Sequence, residues 1–137
     1  MIKIGKDISK FSAYSCQPTS KKDLVLIMSA RFSKEGHNCD LNDIDVSLIT
    51  DMSFLFYDSK FNGDISNWNV SNVVNMTRMF AFSKFDGDIS GWDVRKVRDM
   101  SYMFYDAKFT GDISKWKINK NCNTTQMRVQ EQSLTSK

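Results

Sequence analysis

The sequence predicts an α/β solenoid, a stack of repeats of about 24 residues in which each repeat is a strand, a turn and a short helix, with a helical cap at the N-terminal end. The first observation is a gapless alignment. Blocks starting at Asp51, Asn75 and Asp99 share one register, and the first matches the second at 12 of 24 positions and the third at 13. The second is the columns this creates: Met52, Met76 and Met100; Phe56, Phe80 and Phe104; Phe61, Phe85 and Phe109; Trp68, Trp92 and Trp116. Gly-Asp-Ile-Ser recurs at 63–66, 87–90 and 111–114. The third is that every methionine except Met1 falls on a register column. So small a unit cannot bury its apolar stripes alone, so neighbouring copies must supply the core.

The elements follow in order along one domain of 137 residues. Residues 1–24 form an N-terminal cap, where Gly5 to Phe11 loosely echoes Gly111 to Trp116 and suggests a capping strand. Pro18 precedes a helical pattern over 19–34, with Thr19 or Ser20 as N-cap, Asp23 in the first turn, then Leu24, Ile27, Met28 and Phe32. Residues 25–50 are a degenerate repeat: Met28 and Phe32 precede Met52 and Phe56 by one period, and Ile44 stands where Trp68 does. The repeats proper are 51–74, 75–98 and 99–122. In each, Met52, Leu55, Phe56 and Ser59 or their equivalents follow i, i+3, i+4, i+7, which predicts short helices over 52–60, 76–84 and 100–108. Asp51, Asn75 and Asp99 stand where an N-cap belongs. Phe-x-Gly-Asp then makes a turn, and the alternation in Trp68-Asn69-Val70 predicts a very short strand with Trp and Val inward. Residues 123–137 are a C-terminal cap and polar tail, with a last short helix starting at Thr124 or Thr125 and fraying over 131–137.

Composition excludes several classes. No apolar run approaches the length of a membrane helix, roughly 18–20 residues. Met1 to Asp7 is mixed and soon charged, which predicts no secretory leader. Cys16, Cys39 and Cys122 are an odd, sparse set, a poor disulfide framework that points to a reducing, cytoplasmic setting. His37 is the single histidine and there is no Cys-x-x-Cys, which disfavours a zinc site and nucleophilic hydrolysis. No cofactor or metal is expected, nor an enzyme. A net charge of +3 is too small to demand nucleic acid.

The string Ser71-Asn72-Val73 followed by Met76, Met79 and Phe80, set after Phe61-x-Gly63-Asp64-Ile65-Ser66-x-Trp68, resembles the BspA-like leucine-rich-repeat proteins. More closely it is similar to the W-x-V-S-N-V-x-x-M-x-x-M-F variant common in mycoplasma surface lipoproteins. The resemblance covers about residues 25–122. It implies a right-handed strand–helix solenoid, a binding surface of the adhesin kind, and no common catalytic residues. Short unexported copies of such repeats also occur in phage and mobile elements. The chain lacks a lipobox and a long array, which favours a phage or mobile-element factor that binds and modulates or inhibits a host protein over an adhesin or exported effector.

Two faces are candidates for that binding. The outward helix stripe carries Phe54, Tyr57, Asp58; Arg78, Ala81, Phe82; and Tyr102, Tyr105, Asp106. Aromatics and arginine are what interface hot spots use, so Phe54, Tyr57, Arg78, Phe82, Tyr102 and Tyr105 form the first site; the competing reading is that these rings fold down over gaps between rungs. The outward strand positions run from acidic to basic, and Asp43, Asp45, Asn69, Asp93, Arg95, Lys115 and Lys117 form the second. A bipolar face fits a charge-complementary protein better than a nucleic acid. Self-association into a homodimer is a further use of the helix stripe; a membrane partner is not expected. The column Asp64, Asp88, Asp112 reads as turn chemistry, ahead of calcium binding or acid–base catalysis. The Met, Phe and Trp columns read as core.

Overall fold

The computed structural model describes residues 16–128. Among these the one α-helix is α1, Lys21–Glu35. Ser20 is its N-cap, accepting the Asp23 N–H at 3.2 Å, and Gly36 ends it at φ 89, donating its N–H to Phe32. Leu24 and Met28 are buried beneath it. Lys21 Nζ donates to the carbonyl and hydroxyl of Ser53, both at 2.9 Å, and Arg31 holds Asp43 through two bonds of 2.9 and 3.0 Å. The helix therefore sits as a lid on the first coils. The degenerate repeat divides at Gly36: Met28 and Phe32 are helical, and the chain joins the stack afterwards, where Asp40 bridges Asp64 in parallel.

The short helices expected over 52–60, 76–84 and 100–108 do not form. Each segment is a run of turns: Leu55, Tyr57 and Ser59 donate to the carbonyls three residues back, Met52, Phe54 and Phe56. The intervening N–H groups leave the segment. Met52, Phe54, Phe56 and Asp58 donate to Asn75, Thr77, Met79 and Ala81 of the next coil at 2.8–2.9 Å. The second coil repeats this toward Asp99, Ser101, Met103 and Tyr105, and the third toward Asn123, Thr125 and Met127. A helix nucleus is costly and nine residues are too few to recover it, whereas a bond at every second residue to a neighbour satisfies the backbone at once. The helix expected at Thr124 or Thr125 is likewise a turn, closed by Met127 N–H to Thr124.

Nor do strands form among the described residues. The parallel contacts are single bridges, Asp51 to Asn75 to Asp99 to Asn123. Trp68 and Val70 do point inward with Asn69 exposed, yet the links between coils at that edge are made by side chains: Asn72 Nδ2 donates to the Ser47 carbonyl, and the Asn67 N–H to Asn42 Oδ1. The capping strand expected before Cys16 and the frayed end at 131–137 lie outside the described residues.

One local motif makes the corners. Asp64-Ile65-Ser66, Asn69-Val70-Ser71 and Asn75-Met76-Thr77 each place a side-chain acceptor, a buried apolar residue and a hydroxyl in sequence. The acceptor takes the N–H two residues on, at 2.9, 3.0 and 2.9 Å. This is the turn-forming habit of Asp and Asn, and it is what Asp64, Asp88 and Asp112 do, each toward its own serine.

The core is columnar. Phe56, Phe80 and Phe104 stack with centroids 5.4 and 5.5 Å apart and planes within 5°. Phe61, Phe85 and Phe109 form a second column at 6.0 and 6.1 Å. Each indole N–H of Trp68, Trp92 and Trp116 donates to the carbonyl of Leu41, Ile65 or Ile89 one coil back. No buried side-chain nitrogen or oxygen among the described residues lacks a partner.

The corner carboxylates have a consequence for pH. The Ser66 backbone N–H holds Asp64 below the usual carboxylate value, and Ser90 and Ser114 do the same for Asp88 and Asp112. Burial pushes Asp51 and Asp99 up, but hydrogen bonds from Ser53 and Ser101 outweigh it and the net shift is downward. The Arg95 guanidinium lowers Asp93 to about 2. Groups whose folded pKa lies below the unfolded value, about 3.9, stabilise the fold fully above that value and lose the contribution as pH falls through the folded one. Thermal melts followed by circular dichroism should be flat between about pH 5 and 7 on this account and drop steadily below about pH 4. A melting temperature unchanged at pH 3 would contradict it.

Candidate functional site

Two residues in each coil depart from ordinary backbone geometry. Phe54, Arg78 and Tyr102 have φ of 61, 51 and 58°, and Asp58, Phe82 and Asp106 have 53, 60 and 49°. This left-handed region costs a non-glycine residue about 1–2 kcal/mol, and glycine would occupy it freely. The sequence places no glycine in either column. The tight turns over 52–59 impose the geometry, and the side chains it turns outward are bulky or charged.

Those side chains assemble into one patch across three coils. Arg78 lies with its Cζ 4.5 Å from the Tyr102 ring centroid and 5.9 Å from that of Phe54. Phe54 meets Tyr57 at 5.3 Å, and Tyr102 meets Tyr105 at 5.3 Å. Phe82 closes the circuit, edge-on to Tyr57 at 5.7 Å and to Tyr105 at 5.6 Å. The columns explain the fit. Tyr57 and Tyr105 flank Ala81, whose small side chain is buried, and the Phe82 ring bridges the two tyrosines on either side of it. Ala81 is the one member of the sequence-predicted outward stripe in these coils that is buried.

All six residues assigned to the helix face by sequence thus meet, although no helix carries them. The rings do pack over the joints between coils, as the competing reading held. They also remain on the surface: Phe54, Tyr57 and Phe82 are 49, 42 and 39% exposed. A surface cluster of three such aromatics exceeds what scattered exposed residues explain.

The strand-face residues fare differently. Asp43 is taken by Arg31, Asp45 accepts from Gln17 at 2.8 Å and from Ser47, and Asn69 closes the turn to Ser71. Asp93 and Arg95 pair with each other at 2.8 and 2.9 Å. Lys115 and Lys117 line a shallow cleft with Asp93, Arg95 and Trp92 and make no hydrogen bond or ion pair among the described residues. Most of the face is engaged within the fold, and only Lys115 and Lys117 at its basic end are without a hydrogen bond among the described residues.

Catalytic groups are sparse. His37 stacks on Phe32 at 4.9 Å. Burial pushes the Cys39 and Cys122 thiols up, which keeps them protonated near neutrality. No three His, Cys, Asp or Glu among the described residues are grouped to hold a metal ion, and no helix among them is long and apolar enough to cross a membrane.

Residues 26–137 match a family model described as a Mycoplasma protein of unknown function, DUF285. No curated protein and no solved structure matches the chain.

Proposed function

Starting from the fact that this chain belongs to the family described as Mycoplasma protein of unknown function, DUF285, we propose that it is a non-catalytic module that binds a protein partner through the aromatic–arginine patch of stacked 24-residue coils. The observation that carries this reading is the closed circuit of Phe54, Tyr57, Phe82, Tyr105, Tyr102 and Arg78, with three of its rings half exposed. Rigid aromatics gain from desolvation with little loss of rotamer freedom, and an arginine held flat between rings is already ordered for contact. Surface ion pairs contribute only about 0–1 kcal/mol each, so the largely self-paired strand face is the weaker site. The repeat spelling supports a right-handed solenoid of the BspA-like kind as the scaffold. A phage or mobile-element factor acting on a host protein is the setting we favour.

Phe54→Ala combined with Tyr102→Ala should weaken partner binding by about 2 kcal/mol or more and leave the thermal melt nearly unchanged. Pull-down titration and sedimentation check this, the second also reporting a homodimer. Unchanged affinity with unchanged stability would reject the patch, and a large loss of melting temperature would return these rings to the core.

A further inference from the structure

The described part of the chain holds fourteen carboxylates, Asp23 to Asp112 with Glu35. Twelve are engaged: Asp23 accepts the Thr19 hydroxyl, and the others close a corner, pair with Arg31, Arg95 or Lys21, or, as Asp86 does, accept the Thr110 N–H. The remaining two, Asp58 and Asp106, make no side-chain hydrogen bond and no ion pair among the described residues. Both stand in one column, with Phe82 between them on the middle coil. Asp58 is exposed and Asp106 half-buried. Arg78, on the same face, is committed to the Phe54 and Tyr102 rings, and the lysine column Lys60, Lys84 and Lys108, two positions along, forms no ion pair with either carboxylate.

Two uncommitted negative charges therefore straddle an exposed ring, held by a backbone conformation that aspartate adopts at a cost. Successive parallel strands lie about 4.8 Å apart, so carboxylates two coils apart are about 10 Å apart. We infer that the partner of the aromatic patch is a basic peptide segment, an extended stretch that presents two arginine or lysine side chains to Asp58 and Asp106 with an apolar side chain between them over Phe82. An extended strand puts residues i, i+2 and i+4 on one face over about 13 Å, a span from which long cationic side chains reach inward to both carboxylates. Guanidinium groups also gain from the faces of Tyr57 and Tyr105 beside them. This rests on the binding reading above and names the chemistry of the partner.

The probe is a labelled peptide, Gly-Arg-Ala-Leu-Ala-Arg-Gly, titrated against the intact chain by fluorescence anisotropy, beside the same peptide with glutamate for both arginines. The arginine peptide should bind, the glutamate peptide should bind at least tenfold more weakly, and D58N with D106N should weaken the arginine peptide at least tenfold. Asparagine tolerates the left-handed region as aspartate does, so the variant keeps its fold, which circular dichroism verifies. Absence of binding by the arginine peptide, equal binding of both peptides, or an unchanged affinity for the variant would overturn the inference. A partner or homodimer lost on F54A with Y102A but retained by D58N with D106N would overturn the basic partner and leave the aromatic patch standing. One retained by both would remove the two together.

Discussion

Phe80→Ala is expected to lower stability by about 3–5 kcal/mol, the range for deleting a large aromatic from a core that relaxes little. Phe80 is fully buried in the middle coil. Its ring stacks on Phe56 and Phe104 at 5.4 and 5.5 Å, faces Phe85 at 4.7 Å and tilts against Trp92 at 6.3 Å. Both neighbours in the column are themselves fixed by stacking, so little can move into the space. Chemical denaturation is the measurement, with Phe82→Ala as comparison. That ring is 39% exposed and should cost far less. Equal losses for the two variants would show that the columns do not carry the stability assigned to them.

Gly63→Ala should be comparably damaging, about 3 kcal/mol or more, because overpacking against backbone cannot be relieved by a rotamer change. An added Cβ there would overlap the Cys39 carbonyl oxygen and lie 2.7 Å from the Phe61 ring. The same column repeats the constraint: at Gly87 the new atom would be 2.8 Å from the Phe85 ring. The glycine is thus required by the phenylalanine two residues earlier, whose ring folds across it. Gly91→Ala is the control, since nothing lies within 4 Å of its added Cβ. If the two alanine variants melt together, the close approach at Gly63 is wrong.

The buried columns were legible because periodic burial writes itself into residue type: Met52, Phe56, Phe61 and Trp68 are each under 5% exposed. Local conformation was not. Apolar residues at i, i+3, i+4 and i+7 over nine positions describe a helical stripe and also a run of three-residue turns. What decides between them is the set of bonds from Met52, Phe54, Phe56 and Asp58 to the next coil, and those depend on residues that a local window excludes. The patch was legible as six residues on one face, since register alone aligns them. Its organisation was not, because the Arg78 sandwich and the closure through Phe82 depend on positive φ in two columns, which no glycine announces. The internal pairing of the strand face was not legible for a different reason. Arg31, which removes Asp43 from it, comes from α1, outside the stack.

The bonds between coils join only nearest neighbours: Met52 reaches Asn75, Met76 reaches Asp99, Trp92 reaches Ile65 and Trp116 reaches Ile89. No described bond of this kind skips a coil. A coil is therefore an exchangeable unit for recombination. An in-frame duplication of residues 75–98 would present each flanking coil with the same acceptors and donors it already meets, while extending the aromatic surface by one row. Gain or loss of whole units would then change how much partner the chain can grip without inventing a new contact, whereas an insertion that broke the 24-residue frame within a bonded segment would misalign the ladders between that coil and its neighbours.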